Sequence, residues 1–302
     1  METIPYSNGG VRVKIWMDTD IGSDIDDAVA LAYLLGKPES DLIGISTVSG
    51  QARNRAMIAS AICKAANAKV PIYVGVEDPI LARQHQPEAQ QSRILANWPH
   101  DEVFPDISAV EAMYAAIRNH PGEVTLVAVG PMTNVALLFR LHPDAPELLK
   151  DAHLMCGEFF RRLPTWGEAE WNSLCDPHAS AIVYGAKNLK LRSVGLDVTL
   201  QVYMNANEVR ERFTSPVLRV VSDFSKAWFD RADRMYFHDP LAAVGIFEPG
   251  VMDYARGTAS VELFSVRALG RTYFDPDENG RHEVAKAVRA DAFFEEYFRH
   301  TT

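Results

Sequence analysis

The stretch Val11-Arg12-Val13-Lys14-Ile15-Trp16-Met17-Asp18-Thr19-Asp20-Ile21-Gly22-Ser23-Asp24-Ile25-Asp26-Asp27-Ala28-Val29-Ala30-Leu31 holds an apolar run, a crowded acidic turn and the start of a second apolar run. Five carboxylates (Asp18, Asp20, Asp24, Asp26 and Asp27) fall within ten positions. Carboxylates gathered at a strand end repel one another, and burying them uncompensated is costly, so the pattern points to a cation or a surface turn. Oxygen donors with no Cys or His among them favour a hard ion, Ca²⁺ or Mg²⁺, over zinc. The alternative is a solvated acidic loop at a helix N-terminus, where Asp is favoured. An EF-hand loop fits poorly, because counting from Asp18 puts Gly22 fifth and Val29 twelfth, where that motif needs Gly sixth and Glu twelfth.

Outward from this stretch, short β-branched runs alternate with helical ones, the pattern of an α/β fold: an open, mostly parallel, Rossmann-like sheet with helices on both faces. Strands are predicted at Val13–Met17, Leu42–Val48, Ile72–Val74, Val124–Val129, His153–Met155 and Leu191–Val194. Helices are predicted at Asp26–Leu35, Asn54–Ala66, Ile107–Asn119, Asn134–Arg140, Pro177–Tyr184, Asn207–Thr214 and Pro216–Arg231. Glu262–Val266, Thr272–Phe274 and Val284–Val288 read as further strands, with a turn over Asp275–Gly280. The polar, Pro-broken tract Arg83–Pro105 reads as a loop near the ligand or on the surface. Without a linker or internal repeat, residues 1–302 are expected to form one domain. Motifs after the strands at Asp18, Val129 and Met155 should converge on the carboxyl edge of the sheet, where open α/β folds bind ligands.

Composition is ordinary for a globular protein, 47% apolar and 23% charged. A net charge of −10 without a basic patch argues against nucleic-acid binding and favours a small-molecule partner. No run of about eighteen apolar residues suggests a membrane span, and Met1–Gly10 lacks a signal-peptide pattern, so a cytoplasmic location is expected. The three cysteines, Cys63, Cys156 and Cys175, are widely spaced and read as reduced core thiols.

Several segments in order resemble the inosine-uridine-preferring nucleoside hydrolase family, whose opening signature reads roughly Asp-x-Asp-Pro-Gly-x-Asp-Asp-Ala. They are the acidic turn itself, Ile45–Gly50, Pro71–Gly75 with Asp78-Pro79-Ile80, Gly130-Pro131-Met132-Thr133-Asn134-Val135-Ala136, Met155-Cys156-Gly157, Ala169-Glu170-Trp171-Asn172 with Asp176-Pro177, and Phe237-His238-Asp239-Pro240. The resemblance runs from about residue 12 to about residue 298. It implies calcium-dependent hydrolysis of a ribonucleoside to free base and ribose, by a homodimer or homotetramer. By the same resemblance Asp20, Asp27, Asp239 and the Val129 carbonyl are expected to ligate Ca²⁺. Asp20 is expected to take a proton from the attacking water and Asp26 to accept a ribose hydroxyl. Glu170 and Asn172, two apart, are expected to hold ribose hydroxyls from an extended segment, with Met155 on the ribose face and Trp171 against sugar or base. His238, beside a proposed ligand, is the candidate donor to the leaving base.

The chain also departs from that pattern. Ile21 replaces the usual Pro and two residues are added before the paired acids, so Asp24 competes with Asp26 for the ribose-contacting role; adjacency to Ala28-Val29-Ala30 favours Asp26-Asp27. Gln51 stands where an Asn contacts ribose, and Gln51 or Asn54 is expected to reach the same hydroxyl. Gln84-His85-Gln86-Pro87 replaces a His-Gly-x-x-Gly type loop, and Pro164 stands where an Asn is common. Two other activities stay open on sequence: a metal-dependent phosphohydrolase using Asp18 as nucleophile, and a nucleoside- or ribose-binding relative without turnover.

Overall fold

A computed structural model describes residues 12–160 and 169–302. The first strand, β1 (Val13–Thr19), is buried from Ile15 onward, as expected of a strand covered on both faces. Its side chains alternate: Ile15 and Met17 enter one apolar cluster, Trp16 the other. Trp16 stacks on Tyr73 at 5.5 Å between ring centroids. It lies against Gly44, where a Cβ would come within 2.4 Å of the indole.

The other strands are β2 (Ser40–Thr47), β3 (Ile72–Val74), β4 (Val124–Ala128), β5 (Asp151–Met155), β6 (Leu191–Val194), β7 (Tyr203–Asn205), β8 (Arg234–Tyr236), β9 (Met252–Val261), β10 (Thr272–Pro276) and β11 (His282–Val288). Among the described residues they form a nine-stranded sheet in the order β10-β9-β11-β6-β5-β4-β1-β2-β3, while β7 and β8 pair separately. The run from β11 to β3 is parallel, and β9 is antiparallel to both β10 and β11. After β1 the chain builds outward through β2 and β3, then returns to place β4 on the other side of β1. The carboxyl end of β1 therefore lies at the switch point of the sheet, where neighbouring connections diverge and leave a crevice.

Helices cover both faces. Asp26–Gly36, Ala52–Ala65, Pro216–Phe224, His238–Phe247 and Ala290–Thr301 pack in one cluster, and Ala109–Asn119, Thr133–Leu141 and Pro177–Gly185 in the other. Helix Asp26–Gly36 is buried from Asp26 to Leu34 on every side. An all-round apolar sequence of this kind is that of a central helix. Among the described residues no helix is long and apolar enough to cross a membrane.

Three expectations are corrected. The strand expected at Glu262–Val266 lies earlier, at Met252–Val261. Glu262 instead starts a turn, its carboxylate accepting the N–H groups of Phe264 and Ser265. The helix expected over Pro216–Arg231 breaks at Ser225 into Pro216–Phe224 and Lys226–Phe229. The tract Arg83–Pro105 carries a 3-10 helix at Gln90–Asn97.

Candidate active site

Directly after β1, Asp20 stands at the sheet edge, and Ile25 ends the acidic turn by leading into helix Asp26–Gly36 without a side-chain cap. The turn is held from outside. Arg55 is completely buried and donates to the carbonyls of Gly50 at 2.8 Å and Ile21 at 3.2 Å, and also to the Asp20 carbonyl. Its position in helix Ala52–Ala65, on the buried side with Ala52, Ala56, Ala59 and Ile62, places the cation behind the acids. Gly50 gives the loop 84–88 room, because a Cβ there would meet the Pro87 backbone at 2.5 Å.

A cavity of about 540 Å³ opens above this turn, within the range of small-molecule sites. Asp20, Asp24, Asp26, Asp27, Val129, Met155, Glu170, Trp171, Asn172, His238 and Asp239 all line it. Carboxylate oxygens of Asp26, Asp27 and Asp239 lie within 4.8 Å of one another, and all three residues are buried. Asp239 reaches them because helix His238–Phe247 starts beside helix Asp26–Gly36, and its backbone N–H donates to Asp26 Oδ2 at 3.1 Å. Burial raises the pKa of each of these three carboxyls well above the usual range, and repulsion adds to it, from Asp24 and Asp20 on Asp26, from Asp20 and Asp26 on Asp27, and from Asp26, Asp27, Asp20 and Asp24 on Asp239. Such a set is neutralised by protons or by a cation, and the three residues could hold a metal ion.

Asp20 is tied in by a different route. Gln86 Nε2 donates to its Oδ2 at 2.5 Å, and Gln86 Oε1 accepts from Trp171 Nε1 at 2.6 Å. Burial raises Asp20 too, against the lowering influence of Arg55 and Gln86. His238 Nδ1 lies 2.7 Å from the Thr199 hydroxyl. Burial pulls the His238 pKa down to about 4, so the ring is neutral at pH 7. With Thr199 as donor, the ring carries its proton on Nε2, the nitrogen left for the cavity.

Other sequence expectations land differently. Asp24 lines the cavity but stands outside the group of Asp26, Asp27 and Asp239, its Oδ1 accepting the Ile25 N–H at 2.6 Å. Glu170 and Asn172 do not share an extended segment. Glu170 caps the short helix Trp171–Cys175, and its carboxylate accepts the N–H groups of Gly157, Asn172 and Ser173. Asn172 Nδ2 donates to the carbonyls of Val129 at 2.7 Å and Met155 at 3.0 Å, leaving Oδ1 as its free polar atom at the cavity. Gln51 is not among the cavity-lining residues: it is exposed, adopts a left-handed φ of 58°, and its Oε1 accepts the N–H of Ala89. Asp18 is fully buried and is not among the cavity-lining residues; its Oδ1 accepts from Ser46 and Asn134 while Oδ2 has no hydrogen-bond partner among the described residues, so the position expected of a phosphohydrolase nucleophile does not face the cavity. Pro164 lies outside the described residues.

Gln86, His85, Trp228 and Arg231 also line the cavity and were not singled out as site residues. The signal for Gln86 was the Pro-broken tract itself, since long irregular loops in compact folds often border ligands.

Comparison with known proteins agrees with this geometry. Residues 15–295 match the family described as inosine-uridine preferring nucleoside hydrolase. The chain is 29% identical to the inosine-uridine preferring nucleoside hydrolase of Crithidia fasciculata over 87% of each chain. It is 27% identical to uridine nucleosidase 1 of Arabidopsis thaliana, over 89% of this chain and 84% of that one. Its fold matches a purine-preferring ribonucleoside hydrolase from Gardnerella vaginalis with a TM-score of 0.81 at 24% identity, covering 95% of this chain and 98% of that one. With the signature residues gathered in one cavity at the switch point of the sheet, the chain belongs to the inosine-uridine preferring nucleoside hydrolase family and is a hydrolase of the ribonucleoside N-glycosidic bond.

Proposed function

We propose that this hydrolase depends on calcium and works on ribonucleosides through Asp20, Asp26, Asp27, Asn172, His238 and Asp239. The observation that carries this is the approach of the Asp26, Asp27 and Asp239 oxygens to within 4.8 Å of one another at a buried cavity wall. Their chemistry fits the ion, because Ca²⁺ takes six to eight hard oxygen donors in flexible geometry. Asp27 and Asp239 of that trio, with Asp20 and the Val129 carbonyl from the same cavity wall, would hold it, and Asp26 would face the sugar; the carbonyl keeps a lone pair beside the one engaged by Asn172. When bound, calcium supplies positive charge that orders water and ribose hydroxyls at the site.

The chain's own groups account for the rest. Cleaving an N-glycosidic bond develops an oxocarbenium-like charge on the ribose, which buried carboxylates stabilise. Asp20 accepts the proton of the attacking water. Asp26 keeps Oδ1 for a ribose hydroxyl while Oδ2 holds the Asp239 N–H. Asn172 presents Oδ1 to the sugar, and Glu170 holds the turn that presents it. His238 offers Nε2–H to the departing base.

The test is release of reducing sugar from inosine, uridine, guanosine and cytidine, with chelator and after restoring calcium or magnesium. Activity lost to chelator and restored by calcium supports the proposal. Activity indifferent to chelator refutes calcium dependence, and saturable nucleoside binding without base release would identify a non-catalytic relative.

A further inference from the structure

Gln86 makes a contact that the family resemblance does not assign. It is 6% exposed although it stands on an irregular loop. Its carboxamide joins the Asp20 carboxylate on one side to the Trp171 indole on the other, at 2.5 and 2.6 Å. The orientation of this amide is chemically determined: an indole N–H can only donate, so Oε1 must face Trp171, and Nε2 is left to donate to Asp20. The loop is itself anchored, the Gln86 carbonyl accepting from Ser49 and Arg55 and its N–H donating to Gln84 Oε1 at 2.7 Å. Trp171, in contrast, is 47% exposed at the cavity wall with His85 edge-on at 6.2 Å. A ligand packing on that indole therefore meets the outer end of a hydrogen-bonded chain whose inner end is Asp20.

We propose that Gln86 is a positioning residue for Asp20, coupling the cavity wall at Trp171 to that carboxylate; this rests on the reaction and on the role assigned to Asp20 above. A carboxylate with rotational freedom presents its lone pairs to water in several directions. One held at Oδ2 by a fixed amide presents Oδ1 in one direction. Outer residues that orient a reacting or ligating group typically contribute about 10- to 10²-fold.

Gln86→Leu keeps the bulk and removes both hydrogen bonds. In the full chain with calcium it should lower kcat on inosine or uridine by about 10- to 10²-fold while KM stays within about threefold, the pattern of a lost contact that matters in the transition state. Trp171→Phe keeps an aromatic ring without the N–H, and its loss of kcat should be smaller. The double variant should be no slower than Gln86→Leu alone, because both changes cut one chain. Unchanged kcat in Gln86→Leu, or losses that simply add, overturns the proposal. A second readout needs no turnover: the indole N–H resonance of Trp171, identified by its disappearance in Trp171→Phe, is followed during titration with calcium chloride. It should move in the parent and stay in place in Gln86→Leu. No movement in the parent, or equal movement in both, refutes the coupling. If the parent releases no base from any nucleoside, the hydrolytic reading fails by itself and this resonance still decides the coupling.

Discussion

Asp239 lies over two hundred residues from Asp26 and Asp27, yet its carboxylate completes their group. Removing it leaves two buried acids with fewer donors for a cation. Asp239→Asn should therefore weaken calcium binding at least tenfold by calorimetry, about the scale for losing a group that ligates or orients a metal. Asp24→Asn, outside the group, should change it far less; equal damage at both positions would reverse their assignment. His238→Ala should slow inosine hydrolysis by about 10²-fold, the low end of the scale for losing one preorganised hydrogen-bond donor to developing charge. A nitrophenyl riboside, whose leaving group needs no proton, should be slowed much less, and equal loss on both substrates would reassign His238 to support of the site. That Asp20, Asp26 and Asp27 face one cavity was legible because they share one turn, and the crowding of acids is local. Gln51, expected to reach a ribose hydroxyl, stands outside the cavity lining with a left-handed φ and its Oε1 on the Ala89 N–H. The amide at Asp20 comes from Gln86 instead, across a gap that no spacing rule bridges.

Helix Ala290–Thr301 was not foreseen, yet it braces the helix that begins with Asp26 and Asp27. Lys37 Nζ meets Glu296 Oε1 at 2.6 Å, the Tyr33 hydroxyl donates to the same oxygen at 2.9 Å, and both charged residues are buried. The helices touch so closely that a Cβ at Gly36 would stand 2.0 Å from the His300 carbonyl. Burial alone would raise the Glu296 carboxyl, but the hydrogen bonds from Lys37 and Tyr33 outweigh it and hold the pKa below the ordinary 4.5. A depressed carboxylate pKa means that the folded state binds fewer protons than the unfolded one. Its stabilisation is then fully present above about pH 4.5 and is lost as the pH falls through the lower folded value. Glu296→Gln should cost about 1.5–3 kcal/mol at pH 7, the range for a hydrogen bond to a charged group. In thermal melts its deficit should shrink as the pH falls below about 4.5, and a deficit independent of pH would mean that packing, not charge, holds this helix. The aromatic density of Phe293, Tyr297 and Phe298 suits a strand as well as a helix. What decides between them is the face that helix Asp26–Gly36 offers, which is tertiary.

At the scale of the molecule, Asp26 and Asn172, which we propose read the ribose, reach one cavity from different segments of the chain, Asp26 after β1 and Asn172 after β5. A cavity that aligns buried polar atoms with a hydroxyl leaves them unpaired when the hydroxyl is absent. 2′-Deoxyinosine and 2′-deoxyuridine should therefore fall short of their ribose counterparts by about 10³-fold or more in kcat/KM. Steady-state kinetics at saturating calcium decides this, and a ratio within about tenfold would refute the ribose-reading arrangement. The acidic turn, the strand–helix alternation and the apolar character of the central elements were determined by the sequence alone. Each depends on charge crowding, side-chain period or burial preference within a dozen neighbouring residues. Asp239 was expected beside the turn only through the family resemblance, and the tertiary structure alone decided that Glu170 caps a helix where an extended segment was expected, that Asp18 is buried away from the cavity, and that Gln86 reaches Asp20. The physical reason is the same in each case. These contacts join segments far apart in the chain, and which partner a buried polar group takes depends on the donors and acceptors that packing brings within about 3 Å of it.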